Sequence, residues 1–174
     1  MSERILFHVR GEPLDGTPLH YAASGLDYIY LANGYTVEND PDYGTVVSIH
    51  EEDDLLRAIG FFIAYFKKEL TGPDFRFLRK QMGLTQERLT EAFGVDVQTI
   101  ANYEKGKKIP VPSQNLMRHI FAIWILPPDA RVSALKELAD AVKQDATQRT
   151  QRAPQLDVWP PIVNFWTEGG GCHV

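Results

Sequence analysis

Between residues 53 and 70 the apolar positions recur at helical spacing. Leu56, Ile59, Ile63 and Phe66 make one stripe, widened by Phe61, Phe62 and Tyr65. Asp53 and Asp54 at its start and Lys67 and Lys68 at its end suit the helix dipole. Upstream the rhythm changes. β-Branched and aromatic residues dominate 28–31 and 45–49, with Gly34, Asn39, Pro41, Asp42 and Gly44 as turn formers around them. This pattern predicts a small antiparallel sheet, with a third strand near 35–38. A stripe as wide as that of 53–70 fits a helix held between the sheet and the next unit; the alternative is a dimer or partner surface.

"LTGPDF" at 70–75 restarts the chain, because Pro73 is tolerated in a first helical turn but not in a helix interior. A helix is expected to about Met82, stopped by Gly83. Thr85 then caps a second helix that buries Leu89 and Phe93 and ends at Gly94. Asp96 caps a third, from Val97 to about Lys105. In it Ile100 and Tyr103 turn inward, while Gln98, Thr99, Asn102 and Lys105 share the outer side. Two short helices joined at a glycine, the second with a polar outer face, have the geometry of a helix-turn-helix.

Beyond Pro112, "SQNLMRHIFAIWIL" reads as a helix capped by Ser113, and another begins near Pro128. Leu116, Ile120, Ile123 and Trp124 offer more apolar surface than a small bundle requires, and a homodimer interface is the economical use for it. A polar linker, "QDATQRTQRAPQ", precedes "VWPPIVNFW" at 158–166. Pro160 and Pro161 exclude a helix there, and the apolar strap is expected to dock on its own chain or on a dimer mate. The expected architecture is mainly α with a small antiparallel sheet, an α+β fold. Residues 1–70 form the sheet and first helix, 71–143 the helix-turn-helix with its following helices, and 144–174 the linker and strap.

Composition narrows the function. At 174 residues, 44% hydrophobic and 24% charged, the chain has the make-up of a folded globular protein. The opening "MSERILFHVRGEP" lacks a long apolar core, and no internal stretch reaches the length of a membrane span, so a cytoplasmic chain with no membrane contact is expected. The net charge of −5 is unevenly spread. Residues 1–73 carry 5 Lys/Arg against 12 Asp/Glu, 74–110 carry 7 against 5, and 111–174 carry 6 against 6. Only the helix-turn-helix is positive. Binding nucleic acid needs positive charge at the contact, not over the whole chain.

The middle block resembles the Xre family of helix-turn-helix regulators, which includes the lambda-type phage repressors. "LRKQMGLTQERL" matches the family's first helix, glycine stop and Thr-Gln opening; "GVDVQTIANYEKGKKIP" matches its turn, recognition helix and closing Glu-x-Gly and Pro. The resemblance implies a lambda-repressor-like bundle in which Val97, Gln98, Thr99 and Asn102 meet base edges of double-stranded DNA. Such chemistry is sound: Gln and Asn pair bidentately with adenine, and Val or Thr methyls lie against thymine methyls. It also implies that Thr85 and Gln86 hold phosphate at the start of the second helix. Lys105, Lys107 and Lys108 suit the backbone as well, adding affinity without sequence information. Arg79 and Glu104 occupy positions that often form a buried ion pair in the family. Thr90 departs from the usual Ala under the recognition helix, a change small enough to fit. The family implies a homodimer on an inverted-repeat operator.

"YAASGLDYIYLANGY" at 21–35 is similar to the segment that precedes the helix-turn-helix in MqsA-like antitoxins. Those antitoxins carry two upstream CxxC pairs that bind zinc; this chain has a single cysteine, Cys172. The resemblance implies a regulator of the toxin-antitoxin or self-repressing kind and admits a basic toxin as partner to the acidic N-terminal third. No cofactor is called for. His20, Ser24 and Asp27 lack a nucleophile motif, and His8, His20, His50, His119 and His173 lack ligand spacing, so neither catalysis nor a metal site is expected, and "GGGCHV" reads as a frayed end. The competing reading is a protein-interaction module that uses the helix-turn-helix only as a scaffold.

Overall fold

The computed structural model describes residues 4–14, 16–145 and 166–169. Its elements in chain order are β1 (Ile5–Val9), β2 (Leu19–His20), β3 (Ile29–Leu31), β4 (Tyr35–Asp40), β5 (Gly44–Ile49), α1 (Glu52–Tyr65), α2 (Gly72–Gln81), α3 (Gln86–Phe93), α4 (Val97–Glu104), α5 (Val111–Ile125), α6 (Pro128–Asp145) and β6 (Trp166–Gly169). This is the mainly helical α+β architecture expected, with a lambda-repressor-like helix-turn-helix at α3 and α4.

Strand pairing departs from the expected single antiparallel sheet. The central pair, β1 with β3, is parallel, with Ile5 opposite Ile29 and Phe7 opposite Leu31. β2 and β6 flank it antiparallel, in the order β2-β3-β1-β6. β4 and β5 form a separate hairpin. The sequence pattern passed over β1 because "ILFHV" is short and parallel pairing leaves no hairpin turn to mark it. β6 brings the C-terminal region back to β1; the remainder of the strap, 158–165, lies outside the described residues.

The helix after the sheet ends at Tyr65, so Leu70, expected inside it, sits in a buried loop position. Its inward face is also rotated from the stripe read in sequence: Leu55, Ile59, Phe62 and Ile63 are buried, Leu56 is half-buried and Phe66 is exposed. The rotation follows from the two neighbours that α1 serves. Phe62 meets Phe7 of β1 edge to face at 6.3 Å, and Gly60 lies under Phe121 of α5. A Cβ at residue 60 would stand 2.3 Å from the Phe121 ring tip, and that ring is fully buried. Gly60→Ala is therefore expected to cost about 2 kcal/mol despite its better helix propensity. Chemical denaturation should show the loss and its partial recovery in Gly60→Ala/Phe121→Leu.

Two polar ties join the N-terminal unit to the helices. Fully buried Asp74 accepts from Lys67 Nζ at 2.6 and 2.8 Å and from the Tyr28 hydroxyl, while Lys67 Nζ stands 3.9 Å over the Tyr28 ring. Burial first, then the Asp74 carboxylate, pushes the Tyr28 phenol far up, so it stays a donor at all ordinary pH. Arg118 of α5 donates to the carbonyls of Ile63, Ala64 and Lys67, closing the end of α1. The start of α5 differs from expectation: Val111 begins it, two residues before Ser113, and Pro112 fills the first turn. Buried Gln114 ties the α1–α2 connection to the loop before α5, accepting from Leu70 N and donating to Ile109 O.

Candidate nucleic-acid interface

α2 is fixed at its start by a capping box. Thr71 Oγ1 accepts from Asp74 N, and Asp74 Oδ2 accepts from Thr71 N at 2.7 Å. Gly83 then turns the chain at φ +66°, a left-handed conformation that glycine adopts without strain. Thr85 caps α3 by accepting from Arg88 N, and Gly94 ends it at φ +63°. Asp96 caps α4 by accepting from Thr99 N at 2.6 Å. Hydrogen bonding from the Thr99 side chain, and then from its backbone amide, holds the Asp96 carboxyl below its usual range.

Packing orients α4. Leu89, Ile100 and Tyr103 are buried, and Phe75 of α2 meets Phe93 and Tyr103 edge to face at 5.6 and 5.8 Å. The N-terminus of α2 approaches the end of α4 at Gly72. A Cβ there would lie 2.6 Å from Tyr103 O, 2.8 Å from Glu104 O and 2.9 Å from Gly106 N. Thr90, where Ala is usual, is accommodated because its hydroxyl donates to Glu87 O at 2.6 Å.

Glu104 is the polar centre of the motif, with a side chain only 3% exposed. Arg79 donates to both its oxygens, through Nε at 2.5 Å and Nη2 at 3.1 Å, and donates through Nη1 to Leu84 O. Arg76 Nη2 donates to Glu104 O, with its Nε 3.4 Å from Oε2. Burial alone would raise the Glu104 carboxyl, but the Arg79 and Gln86 hydrogen bonds and the two arginine charges outweigh it and hold it below the ordinary 4.5. Gln86, expected at phosphate, donates here to Glu104 Oε2 at 2.9 Å. Its amide is thus turned back onto the ion pair and half-buried, with Thr85 exposed beside it.

On the outer side of α4, Val97 and Gln98 are exposed and Thr99 and Asn102 half-exposed. Gln98 Nε2 lies 3.4 Å from Asn102 Oδ1, as i,i+4 neighbours on one face do. Lys105, Lys107 and Lys108 are exposed where α4 ends, and Gly106 turns the chain there at φ +98°. The structure thus leaves the four candidate base-reading residues exposed or half-exposed on α4, with Gln98 and Asn102 on one face and the three lysines following along the chain. Sequence reasoning overlooked Gly72, Asp74 and Arg76. The Thr71-x-x-Asp74 spacing was the available signal for the cap; the contacts of Gly72 and Arg76 with the end of α4 carry no local signal.

Residues 75–113 match the family model described as "Helix-turn-helix". Over 70 residues the chain is 33% identical to the protein named Antitoxin MqsA of Escherichia coli (strain K12), an alignment covering 40% of this chain and 53% of that one. The chain thus spans about half the length of that relative. No solved structure matches the chain. Residues 75–113, with their capped helices and their glycine turns, are thus similar to a helix-turn-helix, and part of the chain resembles an antitoxin.

Proposed function

We propose that the chain is a sequence-specific DNA-binding regulator, a homodimeric repressor of its own operon, and the antitoxin of a toxin-antitoxin pair. The observation that carries this reading is the outward face of α4. Val97, Gln98, Thr99 and Asn102 stand together on a helix whose orientation is set by the buried Glu104 centre. Entered into a major groove, this face offers two amide side chains for base edges and two methyl-bearing ones for thymine. Lys105, Lys107 and Lys108 then lie toward phosphate. Gln86 leaves Glu104, or shares its amide protons, when it meets a phosphate at the start of α3. No reaction is assigned, and the work is done in the cytoplasm, where the DNA is.

Dimerisation has its candidate surface in α5 and α6. Leu116, Ile120, Ile123 and Trp124 are half-buried, with Ile120 and Trp124 already packed on the core, and Val132 and Leu135 of α6 are 54% and 49% exposed. A twofold contact there presents two copies of α4 to inverted half-sites. The antitoxin role draws on the likeness to Antitoxin MqsA and on the acidic N-terminal third, which suits a basic protein partner.

Base readout and backbone binding separate by mutation. Gln98→Ala or Asn102→Ala should each cost about 1 to 3 kcal/mol on the specific operator and leave nonspecific DNA almost unaffected. Lys107→Ala or Lys108→Ala should weaken all sequences and flatten the dependence on salt. Fluorescence-anisotropy titrations on operator and scrambled duplexes read both effects. Undiminished operator affinity in both amide variants would refute this docking.

A further inference from the structure

The β4–β5 hairpin stands apart from the four-stranded sheet: among the described residues, each strand pairs with the other and with no further strand. Residues 36–39 and 41–48 are all exposed. His50 N donates to Gly34 O, and the register Thr36↔Ser48, Val37↔Val47, Glu38↔Val46 follows from it. Alternation along an antiparallel pair then turns the amides and carbonyls of Val37 and Asn39 to one outer rim and those of Thr45 and Val47 to the other. Val37 and Val47 lie opposite each other on one face, 54% and 40% exposed, and that face runs on to Tyr35 and Ile49, which pack against the core.

The two rims differ in protection. β4 carries Glu38 and Asp40, charges of the kind that keep an open strand from pairing. β5, "GTVVSI", has no charge, no proline and, in its continuous register with β4, no bulge. The sequence on either side of it carries one sign: between Arg10 and Arg57 there are ten Asp or Glu and no Lys or Arg. A rim so open and so acidic is poorly suited to a second copy of itself, because β5 against β5 would draw Asp42 and the Glu51–Asp54 run of each chain together.

We infer that the β5 rim is a docking edge for an extended, lysine- or arginine-rich segment of another protein, which pairs with Gly44–Ile49 as a third strand and covers Val37 and Val47. Main-chain hydrogen bonds along Thr45 and Val47 hold the segment, the valine pair takes its apolar side chains, and the acidic field draws its basic ones. This deepens the reading of the N-terminal region as a partner-binding unit and rests on it.

The test uses the full chain and a blocked peptide of alternating lysine and valine, with a glutamate-valine peptide as counterpart. The lysine peptide should shift the amide NMR signals of residues 44–49, lose affinity as salt rises, and bind about tenfold or more weakly to Val47→Lys, whose operator binding and melting temperature stay as in the wild type. Thr45→Lys gives a second variant should Val47→Lys disturb the hairpin. Shifts that are absent, that centre on β4 or elsewhere, or that persist in both lysine variants overturn the inference. So does broadening of the β5 signals with protein concentration alone, which would assign the rim to a second copy. Co-expression with the neighbouring gene's product tests the antitoxin reading separately. If the peptide docks on β5 but that product does not copurify, the docking edge stands and the antitoxin reading falls; copurification unchanged by either lysine variant, with no peptide docking, gives the reverse.

Discussion

Gly72→Ala is expected to be among the most damaging single substitutions in the helix-turn-helix. In a free helix the change would stabilise by about 1 kcal/mol, through propensity alone. Here the added Cβ meets Tyr103 O at 2.6 Å, Glu104 O at 2.8 Å and Gly106 N at 2.9 Å. All three are backbone atoms at the end of α4, so no rotamer change relieves the clash. Either α2 retreats from α4 or the last turn of the recognition helix unwinds. The cost should be about 3 kcal/mol or more, a fall in Tm of about 10 °C for a chain this size. DNA binding should drop further than stability alone explains, because Lys105, Lys107 and Lys108 follow from that turn. Differential scanning calorimetry and operator titration on the same sample check both parts, and an unchanged or raised Tm would refute the close approach.

Arg79→Met should cost a similar amount by a different route. It removes two hydrogen bonds from a carboxylate that is almost wholly buried and leaves Arg76 and Gln86 to hold the charge alone. Breaking such a pair typically costs about 3 to 5 kcal/mol, and the remaining partners put the expected loss near the lower figure. Arg79→Met/Glu104→Leu, which removes both charges, should recover most of it. The pH dependence has a definite sign. The folded state holds Glu104 below the ordinary 4.5, so its contribution is complete above that value and is lost as pH falls through the lower, folded one. Urea unfolding midpoints of wild type and Glu104→Gln should therefore differ most at neutral pH and converge in acid. A gap that is constant with pH would contradict the ionised, paired state.

The helix-turn-helix was legible in the sequence because its punctuation is local. Thr85 and Asp96 each cap the helix that follows them directly, and Gly83 and Gly94 each adopt the positive φ that the turn demands. Where structure depends on distant partners, the pattern failed. Ile5–Val9 pairs in parallel with Ile29–Leu31 across a long connection, so no turn marks the pairing. Phe66 falls on the helical stripe but is exposed, because the sheet and α5 together select the Leu55, Ile59 and Phe62 face instead. Ser113 is a good capping residue, yet Pro112 in a first turn moved the start of α5 ahead of it. Tyr28 reads as a strand residue and Lys67 as a helix end in sequence, and nothing local shows that they meet at the buried Asp74 carboxylate. Gln98 and Asn102 were assigned by resemblance together with helical spacing, and spacing alone explains why they share a face.

The most direct measurement is a titration of the full chain against DNA from upstream of its own gene and against the same duplex scrambled, at low and at physiological salt. Sequence-specific docking of α4 predicts a preference for the native duplex of about a thousandfold or more at physiological salt, with affinity for both falling linearly on logarithmic axes as salt rises. It also predicts that Gln98→Ala erodes the preference without changing the salt slope. Equal affinity for native and scrambled duplexes, or no salt-dependent binding to either, would contradict a DNA-reading role and leave the helix-turn-helix as a scaffold for protein contacts.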